Sequence, residues 1–260
     1  MISVVIRNKN QDDALTFLLK NLTERYSDDI EEIIVLDNLS TDQSQKRAEK
    51  YGAKFVSIAN FSYGGSANRA ASEASQPIVV IFSAHSYPVS HDFFKLILRK
   101  FEENFNLAGL RCLHSSNDFR GFINNVKSKD DPNKAGLIFS GSAFSKKVWE
   151  KHPFREDVAT FEDKEWTKRV LKEGYDIEFV ASIFHYEIKR TPRQNFFRFK
   201  NDVIGNYQLW HQDLSLLSVF KGFIKSICIL LKNFFVGFWY VLLRFFFMIR
   251  FVFNDKPEKF

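Results

Sequence analysis

Five short groups of residues have types and spacings suited to a charged ligand. The first is Ser83-Ala84-His85-Ser86, small and polar, which follows the apolar run Ile78 to Phe82 and precedes Pro88. A continuous apolar run of this kind suits a parallel strand buried on both faces. In open α/β sheets ligands sit in the crevice beyond the carboxyl ends of such strands. Ser83 and His85 would then edge a site, although a strand turning at a surface gives the same pattern. The second group, Arg7-Asn8-Lys9-Asn10, follows another buried-type strand, Ile2 to Ile6, as a polar loop that could face a ligand. The third is Gly64-Gly65, ahead of a small-residue helix, where backbone could approach a phosphate; a plain turn uses the same residues. The fourth is Glu162 and Asp163, in the first turn of the helix predicted within Phe161 to Tyr175. Carboxylates there offset the helix dipole, a reading that suits Glu162 better than Asp163. The fifth contains His185 and the cations Lys189, Arg190, Arg193, Arg198 and Lys200. Charge runs of this type also form plain solvated faces.

The elements that would carry these groups alternate. After the first strand, Leu15, Leu18, Leu19 and Leu22 follow helical spacing to about Tyr26. Ile33 to Leu36 predicts a strand ending at Asp37-Asn38, and Ser40 with Gln43 has capping-box spacing for a helix that Gly52 should end. Lys54 to Ile58 predicts the next strand, and Ala67, Ala70 and Ala71 suit close packing of the helix after it. Phe93 to Phe105 predicts a helix and Leu107 to Leu113 a strand. Residues 114–134 are polar and predict a long loop, serving as a lid or an acceptor surface. Ala135 to Phe144 predicts a strand followed by a Gly/Ser turn, and Ile177 to Val180 a further strand. Strand–helix alternation implies right-handed crossovers and a mostly parallel sheet flanked by helices, an α/β architecture.

Composition sets the bounds. The chain has 260 residues, 45% hydrophobic and 26% charged, enough to bury a full core. A net charge of +6 suits anionic lipid or a phosphate-bearing substrate, and no nucleic-acid partner is expected. The N-terminal MISVVIRNKN lacks a basic leader, so no signal peptide is expected. Cys112 and Cys228 are far apart with no metal-ligand spacing, which suits a reducing compartment.

Taken in order, SVVIRNKNQ, IIVLDNLSTDQS, FSYGGSANRAA, the SAHSYP strand end, FSGSAF and FEDKEWTKRVLKEGY with His185 downstream resemble the family 2 glycosyltransferases, inverting enzymes of the GT-A fold. The likeness covers roughly residues 2–205, and residues 1–205 are expected to form the catalytic domain. It implies that Asp37 contacts the base or ribose of a nucleotide-sugar donor, that Asn68 and Arg69 line the nucleotide pocket, and that Asp163, beside Glu162, is the catalytic base. Less directly, it places Arg169 and Trp166 at that helix's donor-side and acceptor-side positions. Where the family usually carries Asp-x-Asp, whose last carboxylate binds a divalent metal, this chain has Ser83-Ala84-His85. Magnesium prefers oxygen ligands, and imidazole suits manganese or zinc-like ions better. Two sources of positive charge for a leaving diphosphate are therefore open: a metal (Mn or Mg) held by His85 and His185, or a basic loop formed by Lys189, Arg190, Arg193, Arg198 and Lys200.

The function this implies is transfer of a sugar from a nucleotide donor to a hydroxyl of a glycan or polyprenyl-lipid-linked acceptor, in surface polysaccharide synthesis. Two other classes are weighed beside it. A sugar nucleotidyltransferase would want a Gly-rich basic loop directly after the first strand, and Arg7 to Asn10 has no glycine. A non-catalytic, membrane-bound sugar-binding subunit would suit the missing Asp-x-Asp.

Residues 206–260 form a different kind of segment. Of thirty Phe, eleven lie at or after Phe220. Only eleven residues separate Lys232 from Arg244, fewer than the ~20 a bilayer span needs. Lys221, Lys225, Lys232 and Arg250 share one narrow helical stripe, with Arg244 off it. One or two helices lying in a membrane interface fit this pattern, and the function the resemblance implies would put them at the cytoplasmic face of the inner membrane. A helix packed on the catalytic domain or on a second subunit would show it too.

Overall fold

Alternation along the two most apolar runs divides the core into two layers. Side chains of successive strand residues point to opposite faces. Val4, Ile6, Val80 and Phe82 accordingly join one buried cluster, while Val5, Val79 and Ile81 join another on the far side. In this computed structural model, which describes residues 1–187, 190–254 and 256–258, these runs are β1 (Ile2–Asn8) and β4 (Ile78–Ser83). They pair in parallel at the centre of a sheet ordered β3-β2-β1-β4-β7-β6-β8-β5. The other strands are β2 (Glu32–Asp37), β3 (Lys54–Ser57), β5 (Ser86–Pro88), β6 (Leu107–Leu113), β7 (Ser142–Ser145) and β8 (Asp176–Tyr186). Four neighbouring pairs are parallel; β7 runs antiparallel to β4 and β6, and β5 antiparallel to β8.

One layer buries Leu15, Leu18, Leu19 and Leu22 of α1 (Asp12–Arg25) and Phe93, Phe94 and Ile97 of α4 (Phe93–Glu103). The other buries Ala67, Ala70 and Ala71 of α3 (Tyr63–Glu73) and Trp166 and Val170 of α8 (Glu162–Lys172). Gly174, at φ +89°, turns the chain out of α8. Register then lines up the strand ends: Arg7 lies opposite Ser83, and Asn8 opposite Asp37. The polar loops therefore share one edge of the sheet.

Four local expectations are corrected. Residues 114–134 carry helices α5 (Ser116–Ile123) and the first part of α6 (Pro132–Ala135), because Ser115 and Asp118 make a capping box and Pro132 opens the next turn. Between 135 and 145 the turn precedes the strand: Gly141, at φ +81° against the Phe184 ring, comes before β7. The Ser40 hydroxyl caps no helix, being bound to Asp37 and the Asn10 amide, and α2 (Ser44–Lys50) starts later. Gly64 and Gly65 lie inside α3, whose N-cap is Ser62. A Cβ on Gly64 would stand 2.0 Å from the Arg155 carbonyl oxygen, so this glycine serves helix packing and not phosphate approach.

The chain divides into two units, Met1–Trp210 and His211–Phe260. Arg193, Arg198 and Lys200 of the basic run lie on α9 (Pro192–Trp210), which ends the first unit, and Arg190 precedes it. The second unit is built on α10 (Leu216–Phe253), one helix of 38 residues, apolar enough by length and composition to cross a membrane.

Candidate active site

The loops at the carboxyl edge of the sheet are locked to one another before any ligand is considered. Asp37 is buried, and its carboxylate accepts hydrogen bonds from Asn8 Nδ2 (2.8 Å), Ser40 Oγ (2.6 Å) and the Ser40 amide (2.7 Å). Asn10 accepts from the Thr41 amide and donates its own amide to Ser40 Oγ. Lys9 donates to the carbonyls of Asn38 and Leu39. At the end of β4 the Ser83 amide donates to Ser140 Oγ and Ser86 Oγ, and the Ala84 amide to the Arg7 carbonyl. These bonds fix the Ser83-Ala84-His85 turn against β1.

Above this edge lies a cavity of about 820 Å³. Its walls include Arg7, Lys9, Asn10 and Gln11 from the first loop, Ser83 and His85 from the second, and Glu162 and Asp163 from the start of α8. Phe61, Tyr63, Phe139, Phe161 and Tyr186 supply aromatic surface, and Arg190, Gln194, Phe197 and Arg198 close one side.

Phe161 takes the left-handed conformation (φ +67°) as the N-cap of α8, an unfavourable state for an aromatic residue. It is held there by its edge-on ring contact with Trp210 and by Gly205 of α9, where a Cβ would come within 2.7 Å of the Phe161 ring. The next two residues are the carboxylates. Asp163 Oδ2 accepts the Phe139 amide (3.0 Å) and Oδ1 accepts the Lys164 amide (2.7 Å). The carboxylate is thereby oriented, with a further lone pair on each oxygen. Glu162 is buried at 4% exposure. Burial, and then the neighbouring Asp163, push its carboxyl up to about 7 against the opposing effect of Arg7. Arg7 Nη1 lies 3.8 Å from Glu162, donates to Ser66, and its guanidinium covers the Phe139 ring.

His85 Nδ1 is 2.8 Å from Gln11 Oε1, and its ring stacks on Tyr186 at 5.0 Å. An amide oxygen only accepts, so Nδ1 carries the proton and Nε2 keeps its lone pair. Burial, Arg190 and Arg7 all lower its pKa, favouring neutral imidazole.

The cavity thus brings together Arg7, Asn10, Ser83, His85, Glu162, Asp163 and Arg190 from the residues singled out in the sequence. Others go elsewhere. Asp37 spends its carboxylate on the loop lock just described, away from the lining. Asn68 joins α3 to the following segment: its oxygen accepts from Trp149 Nε1 and the Phe154 amide, and its nitrogen donates to the Phe154 carbonyl and Glu156. Arg69 is exposed and pairs with Glu73. Trp166 is fully buried and donates to the His152 carbonyl; Arg169 binds Glu165 and the Pro153 carbonyl.

His185 is exposed, paired opposite Tyr87 across β5 and β8, and packs on that ring. Alternation along β8 presents Tyr186, not His185, to His85, which separates the two histidines expected to share a metal. Lys189 lies outside the described residues. Gln11, Phe139 and Tyr186 went unrecognised in the sequence, since their roles depend on which distant loops meet.

The sequence profile of glycosyl transferase family 2 matches residues 3–157. The chain belongs to that family. A rhamnosyltransferase of the O-antigen chain from Salmonella anatum, WbaN, is 26% identical over 191 residues, 65% of this chain and 60% of that protein. The chain therefore spans less than two thirds of that relative's length. The mannosyltransferase PcManGT from Pyrobaculum calidifontis, solved with GDP-Man and Mn2+, superposes with a TM-score of 0.65 at 18% identity, covering 84% of this chain and 66% of that one. The glucosyl-3-phosphoglycerate synthase of Mycobacterium tuberculosis, with Mn2+ and UDP, gives 0.59 at 15% identity, covering 82% and 81%. The likeness extends the GT-A fold across the first unit of this family 2 chain.

Those solved neighbours hold divalent metal, and the donor set of this family 2 member does not fit one. Among the described residues no three His, Cys, Asp or Glu are grouped as metal ligands. At the strand end the turn offers a hydroxyl and one imidazole nitrogen, where Mg2+ and Mn2+ sites call for carboxylate and other oxygen ligands, so the expected fit of imidazole to manganese is corrected. Arg7 and Arg190 add positive charge at the same place, which the Glu187 carboxylate in the same lining opposes less strongly.

Proposed function

We propose that the chain is an inverting glycosyltransferase that moves a sugar from a nucleotide-sugar donor to a hydroxyl of a glycan or polyprenyl-lipid-linked acceptor in surface polysaccharide synthesis. One observation carries this reading: the oriented Asp163 carboxylate and the His85 turn open into a single cavity that also holds arginines. The acceptor oxygen attacks the anomeric carbon as the bond from that carbon to the phosphate oxygen breaks. The acceptor proton passes to Asp163, and the nucleoside diphosphate leaves from the opposite face. Glu162 sits behind Asp163 and holds Arg7 in the wall. The aromatic rings of Phe61, Tyr63 and Phe139 give sugar and base flat surfaces to lie against.

Work on a lipid-linked acceptor fits a protein whose second unit is an apolar helix, and it places the enzyme at the cytoplasmic face of the inner membrane. The named role of the Salmonella relative supports polysaccharide synthesis as the setting. A sugar nucleotidyltransferase is disfavoured, because the loop after β1 is built from Asn8, Lys9 and Asn10 side chains and offers no glycine cradle. The direct test is to incubate the purified protein with a panel of nucleotide sugars and a polyprenyl-diphosphate-sugar acceptor and measure nucleoside diphosphate release. Acceptor-dependent release with at least one donor is expected. Pyrophosphate production from a nucleoside triphosphate and a sugar phosphate would instead identify the nucleotidyltransferase.

A further inference from the structure

The mismatch between the metal-bound neighbours and this donor set raises the question of what balances the diphosphate. We propose that Arg7, Arg190 and Arg198 form a guanidinium clamp that binds the donor diphosphate and neutralises it as it leaves, without a divalent cation. This rests on the transferase reading and deepens it.

Three observations carry the clamp. Arg7 is preorganised: its side chain is 11% exposed, lies over the Phe139 ring, and is placed by Glu162 and Ser66. Such a group stabilises developing charge without reorganising during the reaction. Arg190 and Arg198 reach the same cavity, Arg190 from the segment just before α9 and Arg198 from the first half of that helix. The far end of α9 is fastened to the active-site loop by Gly205 on Phe161, by Trp210 against the Phe161 ring, and by Gln208 bonded to Ala159 and Asp157. Arg198 is therefore carried on an element anchored beside the α8 carboxylates, and Arg190 lines the same cavity two residues before that element begins.

Electrostatics at the Ser83-Ala84-His85 turn favours the anion over a metal. A divalent ion on His85 Nε2 would meet Arg7 and Arg190 against one neighbouring carboxylate, Glu187, and none from the turn itself. A diphosphate at the same place meets complementary charge, and guanidinium groups bind phosphate oxygens in paired, directional hydrogen bonds.

The test is calorimetric titration of the full-length protein in detergent with UDP, GDP and dTDP, in excess chelator and again with Mn2+ or Mg2+. Mn2+ is also titrated alone. Binding of at least one diphosphate in chelator is expected, with affinity falling as salt rises and changing little on adding metal. Arg190→Gln and Arg198→Gln should each weaken that binding by about tenfold or more. Arg→Lys at either position should recover part of it, and Lys147→Gln, outside the cavity, should leave it unchanged. Diphosphate binding that appears only with metal, or arginine variants that bind as tightly as the parent in chelator, would overturn the clamp and leave the transferase reading standing. No binding of any nucleotide under either condition would remove both.

Discussion

Two adjacent carboxylates at the start of α8 are expected to behave differently because their surroundings differ. Asp163 faces the cavity with its oxygens oriented by two backbone amides, so Asp163→Asn keeps the shape and removes the proton acceptor. Its turnover should fall ~10²–10⁴-fold, with donor affinity changed far less, as measured by nucleoside diphosphate release beside a titration. Glu162 is buried and holds its proton in the folded chain up to about pH 7, against 4.5 when unfolded. Between those values the folded state binds more protons than the unfolded one, so this group makes stability fall as pH rises through the window. Glu162→Gln should remove that decline, and thermal unfolding at pH 5 and pH 7.5 in parent and variant checks it. A parent whose stability rises over this range through Glu162 would contradict the assignment.

At the scale of elements, the site depends on how closely α9 approaches the loop before α8. Gly205 is the point of contact, since any Cβ there meets Thr160 and the Phe161 ring within 3 Å. Gly205→Val should cost about 1–3 kcal/mol of stability through overpacking, and should lower activity beyond what that loss explains. The reason is that Phe161 holds the left-handed backbone from which both carboxylates project. Denaturant unfolding and turnover on the same preparation separate the two effects. The fastening made by Asn68, the burial of Trp166 and the loop lock around Asp37 belong to this scale as well. They hold the frame around the cavity.

At the scale of the whole molecule, the second unit is the segment expected to set where the chain works. α10 exposes most of its Phe, Leu and Ile side chains, together with Lys221, Lys225 and Lys232 on one stripe. A 38-residue helix is about 57 Å long, ample for an interfacial segment or a tilted span. Full-length protein should sediment with anionic liposomes, and a chain truncated after Asp213 should stay in the supernatant. Full-length protein remaining in solution would refute membrane attachment. Alkaline carbonate washing distinguishes a helix lying in the interface, which is released, from one that spans and resists.

Within residues 2–113, apart from the start of α2, the role of Gly64 and the short strand β5, most elements were legible in sequence because their signals are local: unbroken apolar runs for β1 and β4, helical leucine spacing in α1, polar breaks at strand ends. The same holds for α8, where Gly174 marks the end. The placement of Arg7, His85 and Asp163 at strand and helix ends could likewise be anticipated from the chain alone. What needed the tertiary structure was every property that joins distant segments. Strand alternation relative to a pairing partner turned His185 away and Tyr186 inward, and hydrogen-bond satisfaction drew Asp37 and Asn68 into the frame. Packing at Gly205 brought the basic helix to the cavity. A sequence specifies side chains and their local periods. Which groups end up facing one another is decided by register and packing between elements far apart in the chain, and it is those contacts that set His85 against Tyr186 in a cavity lined by arginines and left His185 against Tyr87.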